Sequence, residues 1–308
     1  MDRRDFLKSV ALGGAALAVG APAEAAEKAR KSVVKTAESE AGFALWQIPS
    51  QVNTIGNSYV FLTNKGRVLV MDGGVDKEVP YLRGFLGALG NEVEAWFISH
   101  PHGDHMGALN EILRQPNGLK INHIYHSRLS QRLLKMESPY DAYANEFYKR
   151  LDETSIPVTD MREPGLELKY DGLNMKVLGV ANEELSMNTY NNSSVIFRVW
   201  DKRKTMVFLG DAGVECGNKV LNGPYAKYLD CDYMQMAHHG QRGCDENFYK
   251  TVKFSVCLWP TPTWVWNNDQ GKGYNPGGLK TFETRRWMDE KGISEHHVST
   301  VEGLWHLS

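Results

Sequence analysis

Within the seven residues Ser99-His100-Pro101-His102-Gly103-Asp104-His105, four side chains can bind a metal. Imidazole nitrogen and carboxylate oxygen suit borderline-soft divalent ions such as zinc, and a ligand set left incomplete by the protein keeps a position open for water. An apolar strand pattern from Glu94 to Ser99 precedes the cluster, and a helical pattern from Met106 to Arg114 follows it. A loop at a strand end can aim several side chains into one cleft while the strand fixes its root. So placed, His100 and His102 can serve one ion, and Asp104 and His105 a neighbouring one. The alternative is a polar loop with histidines gathered by chance, but this loop holds three of the chain's ten. Signals of other hydrolytic chemistries are missing: there is no G-x-S-x-G nucleophile elbow and no phosphate-cradling glycine loop.

The H-x-H-x-D-H run resembles the signature of the metallo-β-lactamase superfamily, and the resemblance extends from about residue 43 onward. Val70-Met71-Asp72-Gly73-Gly74 is similar to that family's first motif, Phe208-Leu209-Gly210-Asp211 to its fourth, and Ala237-His238-His239-Gly240 to its fifth. The resemblance implies an α/β fold, a four-layer αββα sandwich, holding zinc, as two ions, or another divalent metal. It implies His100, His102 and Asp211 at the first ion and Asp104, His105, Asp211 and one of the paired histidines at the second, with His239 chosen as that ligand and the reverse choice left open. Asp72 would orient the metal loop from behind, and His238 would face substrate or make a weaker contact. One piece departs, because the third histidine of the first site is missing: no histidine lies between His126 and His238. Asn191-Asn192-Ser193-Ser194 stands there instead, with Asn191 and Asn192 as supporting residues. This pattern resembles the branch containing the hydrolase domains of competence-type DNA-uptake proteins and the phosphorylcholine esterases.

The chemistry implied is metal-assisted hydrolysis, with no protein nucleophile required. A hydroxide held between two divalent ions is a usable nucleophile near neutral pH. Asp104 and Asp211 are the residues to position it, and His238 the residue to stabilise developing negative charge. The branch favours a phosphodiester or another ester. A lactonase or β-lactamase is one alternative, and a non-enzymatic metal-binding protein with a decayed first site is another. With 35 basic and 37 acidic residues the chain has a net charge of −2, which argues against nucleic acid and for a small-molecule substrate. The single basic run, Lys202-Arg203-Lys204, reads as a solvated hairpin turn. Trp259, Trp264, Trp266 and Tyr274 lie within sixteen residues. They could edge the cleft as a substrate-binding loop, or simply pack that loop onto the domain.

The elements that must position these groups come in two rounds, each opening with hairpins and ending in strand–helix alternation. Strand patterns cover 57–63, 67–71, 94–99, 166–170, 174–180, 194–200, 205–209, 232–237 and 254–259, with short strands at 297–301 and 303–307. Helix patterns cover 77–89, 106–114, 214–221, 246–252 and 279–291, and a helical insertion occupies 127–153. Two stacked sheets covered outside by helices satisfy that order. The histidines of the tail, His296, His297 and His306, belong to no motif and read as strand surface or core.

The domain reading is 1–25 signal peptide, 26–42 polar linker or helix, and 43–308 the metal-binding domain. Residues 1–25 contain Arg3-Arg4, an uncharged stretch from Ser9 to Ala23 and a closing Ala23-Glu24-Ala25. This resembles a twin-arginine signal peptide, with the export machinery as a partner, a periplasmic or secreted destination and no membrane contact after cleavage. The apolar stretch is shorter than the roughly 20 residues a membrane-spanning helix needs. Cys216, Cys231, Cys244 and Cys257 lack C-x-x-C spacing and read as buried thiols, with one disulfide conceivable in an oxidising compartment.

Overall fold

Strands of this chain are apolar at nearly every position, and the computed structural model, which describes residues 42–308, shows why: most are buried on both faces. In the first half come β1 (Phe43–Gln47), β2 (Ser58–Thr63), β3 (Val68–Asp72), α1 (Val79–Ala88), β4 (Glu92–Val93), β5 (Ala95–Phe97) and α2 (Gly103–Arg114). Then follow β6 (Lys120–Ile121), β7 (Ile124–His126), α3 (Gln131–Met136), α4 (Tyr140–Glu153) and β8 (Val158–Asp160). The second half has β9 (Glu167–Tyr170), β10 (Leu173–Gly179), β11 (Ile196–Trp200), β12 (Thr205–Phe208), α5 (Val214–Leu221), β13 (Tyr233–Gln235), α6 (Glu246–Thr251) and β14 (Val256–Trp259). It ends with α7 (Thr263–Trp266), α8 (Thr281–Lys291), β15 (Glu295–Val298), α9 (Ser299–Glu302) and β16 (Trp305–Leu307). The expected export signal and all of the polar segment except Gly42 fall outside the described residues.

One seven-stranded sheet runs β16-β1-β2-β3-β5-β7-β8, and the other runs β15-β14-β13-β12-β11-β10-β9. Their facing surfaces share a core in which Tyr59 and Phe61 of the first sheet meet Phe208 of the second at ring-centroid distances of 4.9 and 5.6 Å. Outside the first sheet, Val70 and Trp96 pack with Leu82 of α1, Met106 of α2 and Phe147 of α4. Outside the second, Val207, Met234 and Trp259 pack with Cys216 of α5, Phe248 of α6 and Met288 of α8. The architecture is the four-layer αββα sandwich expected from the sequence.

The helices expected within 127–153 are α3 and α4, which carry the chain across from β7 to its parallel neighbour β8. Helix α2 begins at Gly103, not Met106, so Asp104 and His105 lie in its first turn. The tail divides between the sheets: β15 extends the second and β16 pairs with β1 in the first. All four cysteines are free thiols, and burial pushes Cys216 up to about 12. Among the described residues no helix is long and apolar enough to cross a membrane.

The basic run is corrected at one position. Lys204 is buried, and its Nζ donates to Asp201 Oδ2 and to the carbonyl of Phe43, both at 2.8 Å. Asp201 also accepts from the backbone N–H of Gly42, Arg203 and Lys204, at 2.8 to 2.9 Å, and so ties the start of β1 to the β11–β12 hairpin. Burial alone would raise the Asp201 carboxyl, but the Lys204 ammonium and the N–H groups of Arg203 and Lys204 hold it below the usual carboxylate range. A carboxyl depressed in the folded state contributes stability that is present above its unfolded pKa and is lost as pH falls through the folded value. Asp201→Ala leaves the buried ammonium unpaired and should cost about 3–5 kcal/mol in urea unfolding at pH 7. The difference from wild type should shrink as the pH falls below about 3.9, where the unfolded chain takes up the Asp201 proton, and should be gone once the pH passes below the lower folded-state value.

Candidate metal centre

Each chemistry-bearing loop leaves the carboxyl end of a strand where the sheets turn parallel: Asp72 ends β3, the Ser99–His105 loop follows β5, Asp211 follows β12, and the His238–His239 turn follows β13. Strand ends at such a point of an α/β sheet form a crevice. Cross-links draw the loops together, with Val195 N donating to Ser99 O at 2.8 Å and His238 N to Gly210 O at 3.0 Å. Gln235, fully buried, accepts from Leu209 N and donates to Gly210 O, which fixes the chain entering Asp211.

Two sets of donors result. Asp104, His105, Asp211 and His239 each place a ligand atom within 4.8 Å of the others, and His100, His102 and Asp211 do the same. Asp211 belongs to both sets. Around them the rings are held from behind. His105 Nδ1 donates to Asp72 Oδ2 at 2.7 Å, and its Nε2 lies 3.1 Å from Asp211 Oδ1 and 3.5 Å from Asp104 Oδ2. His239 Nδ1 donates to Pro260 O at 2.9 Å, leaving Nε2 2.9 Å from Asp104 Oδ2 and 3.6 Å from Asp211 Oδ2. His100 turns Nδ1 to the hydroxyls of Ser99 and Ser194, and its Nε2 meets His102 Nδ1 at 3.0 Å. A carbonyl or carboxylate can only accept, so each such bond fixes which ring nitrogen keeps a free lone pair.

Backbone conformation enforces the aim. Asp72 has φ 60°, and His238 and His239 have φ 52° and 54°, a left-handed pair of the kind that persists where the surrounding structure demands it. Gly240 follows at φ 78°, and a Cβ there would sit 2.4 Å from the Trp259 ring. Trp259, fully buried, thus packs directly beneath the histidine turn.

Without an ion this is a strongly coupled set of charges. Burial works against a charged His105, but Asp211, Asp72 and Asp104 outweigh it and raise its pKa well above the ordinary value. Burial likewise opposes protonation of His239, yet Asp211 and Asp104 hold it up to about 9. Burial also opposes ionisation of Asp104 and Asp211, and in both the neighbouring histidines, His105 first, pull the pKa down. His100 and His238 stay neutral through burial. His105 Nε2 and Asp211 Oδ1 are buried 3.1 Å apart, paired as charges and with no other hydrogen-bond partner. Converging ring nitrogens and carboxylate oxygens, sealed from solvent and mixed in type, fit divalent cations.

A sequence model of the metallo-beta-lactamase superfamily matches residues 53–241, more than half of the chain, and that span contains both donor sets. The chain belongs to this superfamily. It is by that membership an enzyme of the metal-dependent hydrolase class, and its His/Asp clusters are those of a divalent-metal protein. Among solved structures it is similar to the metallo-beta-lactamase fold protein YhfI from Bacillus subtilis (TM-score 0.51, 12% identity, covering 85% of this chain and 99% of that one). It is also similar to CmlA, a diiron beta-hydroxylase from Streptomyces venezuelae (TM-score 0.54, 10% identity, 87% of this chain and 54% of that one). At such identity the likeness is one of fold. No curated protein matches the sequence.

Every superfamily motif residue named from the sequence converges on this crevice, though not all with the same placement. His239 is buried within the four-donor set, whereas His238 lies at its edge with Nε2 3.7 Å from Asp211 Oδ2. Asn192 braces the fold: its amide donates to Met187 O and Glu215 Oε2, and its oxygen accepts from Cys216 N. Asn191 is 4% exposed, and its amide bonds Asn188. Of the two readings of the aromatic loop, packing onto the domain holds for Trp259 and Trp266. Trp259 is core, and Trp266 packs on it at 5.4 Å with the Arg285 guanidinium stacked 3.9 Å above. Trp264 is half-buried in α7, and Tyr274 is 70% exposed beside Phe282. Sequence reasoning missed Ser99, Ser194 and Glu137. The two serines stood in quoted motifs, whereas Glu137 carried no signal.

Ligating imidazoles must be neutral. Metal-free protein titrated with zinc in weak buffer at pH 7.5 should therefore release protons, because His105 and His239 are protonated before uptake. Apparent affinity should rise as the pH is raised towards about 9, the value to which His239 is held, as followed by a pH indicator together with calorimetry.

Proposed function

We propose that this protein is an exported hydrolase of a small phosphodiester or other ester, working with two divalent ions, zinc in the first instance. The observation that carries the reading is that Asp211 belongs to both donor sets, the arrangement expected of a two-ion site built for displacement at a phosphoryl or acyl centre. His100, His102 and Asp211 would hold one ion, and Asp104, His105, Asp211 and His239 the other. Bound there, the ions would supply Lewis acidity and an activated water near neutral pH.

The remaining steps belong to the chain's own groups. Asp104 and Asp211 place carboxylate oxygens 3.5 and 3.1 Å from the His105 ring nitrogen and would orient the attacking water. His238 donates Nδ1–H to the carbonyl of Arg242 at 2.8 Å and is kept neutral by burial, so its Nε2 carries a lone pair. It is therefore better suited to taking up the proton released in the reaction than to stabilising an anion at once, and once protonated it can hand that proton to the leaving oxygen. Tyr140, 60% exposed with its ring 5.5 Å from His102, offers an aromatic face beside the first donor set. The near-zero net charge supports a small substrate over nucleic acid. The Arg3-Arg4 leader supports twin-arginine export to the periplasm or medium.

The test is a metal count followed by a panel of phosphodiester, phosphomonoester, lactone and β-lactam substrates. Phosphodiester turnover should be present, should vanish on chelation and return with zinc, and should fall to background in Asp211→Ala. Turnover of lactone or lactam alone would replace the substrate reading, and less than one ion per purified chain with no turnover would favour the decayed-site alternative. Iron in the count, with activity restored only by iron, would replace zinc.

A further inference from the structure

We propose that Glu137, in the segment joining α3 to α4, is a positioning residue that holds His102 Nε2–H so that Nδ1 faces the first donor set. The inference rests on the reading above that an ion sits between His100, His102 and Asp211. The rings of His100, His105, His238 and His239 each have the outward nitrogen committed, to the serine hydroxyls, Asp72, the Arg242 carbonyl and the Pro260 carbonyl respectively. His102 is the remaining ring, and it is reversed: Nδ1 points at His100 and Nε2 points away. The group facing that Nε2 is Glu137, with Oε2 at 3.4 Å.

Glu137 is itself fixed. Its Oε1 accepts from Tyr190 N at 3.0 Å and from Thr189 Oγ1 at 2.9 Å, and Thr189 Oγ1 also lies 3.1 Å from the carbonyl of Leu133 in α3. An acceptor tethered at one oxygen presents the other at a set place, as a carboxylate behind a ligating imidazole must. The ring it serves is confined between Tyr190 at 4.9 Å and Tyr140 at 5.5 Å. The first donor set has only three His or Asp members, so a His102 that rotates or shifts its proton to Nδ1 leaves two. The helical crossover thereby reaches the metal centre through one carboxylate, from a part of the chain that matches no metal motif.

Glu137→Gln separates this role from mere bracing. The glutamine oxygen still accepts from Tyr190 and Thr189, but its amide group places a donor opposite Nε2 and favours the proton on Nδ1, where it blocks ligation. Zinc affinities are measured against a competing chelator for wild type, Glu137→Gln and Glu137→Ala, with melting of the metal-free proteins as the fold control. Expected are two ions on wild type, and in Glu137→Gln a loss on the order of 10–100-fold at the weaker site alone, with the other site and the melting temperature unchanged. Two ions bound by Glu137→Gln with wild-type affinities overturn the inference. Equal weakening of both sites with a lowered melting temperature also overturns it, in favour of bracing. A wild type that takes up a single ion overturns the two-ion reading beneath it, and that result is visible before any variant is made.

Discussion

A buried carboxylate must find donors for its lone pairs, and the Asp72 side chain, with no solvent exposure, finds four: Ser99 N at 2.7 Å, Ser99 Oγ at 2.9 Å, Asn57 Nδ2 at 2.7 Å and His105 Nδ1 at 2.7 Å. Those four bonds join the end of β3, the start of β2, the root of the metal loop and the first turn of α2. The indole of Trp96 on β5 donates to the Asp72 carbonyl, so the neighbouring strand is tied to the same residue. Once the carboxylate is placed, His105 has one nitrogen spoken for and the other aimed inward. Ser99 Oγ, holding Asp72, then meets His100 Nδ1 at 3.1 Å and passes the constraint along the loop.

The second half of the chain answers with a different kind of anchor. There bonds to the backbone do the holding: the Gln235 side chain clamps Leu209 and Gly210, and His239 is fixed by the carbonyl of Pro260, which directly follows β14. Trp259 fills the space a side chain at Gly240 would need, and it is this packing that makes the left-handed His238–His239 turn tenable. One half therefore orients its ligands by charge and hydrogen bonding, the other by chain geometry and ring packing. Asp211 stands where the two meet, its N–H bonded to Ser194 Oγ and its oxygens facing histidines from both halves.

Such an assembly is electrostatically tense when the histidines must balance the carboxylates. Asp211 and Asp104 raise the pKa of both His105 and His239, the rings that would face a divalent ion in the four-donor set. Protons and metal compete for the same lone pairs, so the geometry that binds the ion well is also the geometry that raises these pKa values.

The sequence by itself determined the superfamily motifs, the order of the strands and most of the ligand candidates, because a metal loop of contiguous residues writes its donors in adjacent positions and apolar periodicity survives in a linear string. His100 through His105 were legible for that reason, and Asp72, Asp211 and the His238–His239 pair through their resemblance to the superfamily's motifs. What only the tertiary structure decided are matters of who stands behind whom. A Cβ at Gly240 would meet the Trp259 ring, so a tryptophan that the sequence leaves open between binding-loop ring and packing ring is core. Lys204, in a basic run that reads as solvated, closes a buried pair with Asp201 because β1 happens to start above that hairpin. Glu137 reaches His102 only because the α3–α4 crossover folds back over the mouth of the site. These contacts join residues from 3 to 161 positions apart, and in each the deciding neighbour is set by how the sheets and crossover pack, which local composition and spacing do not encode.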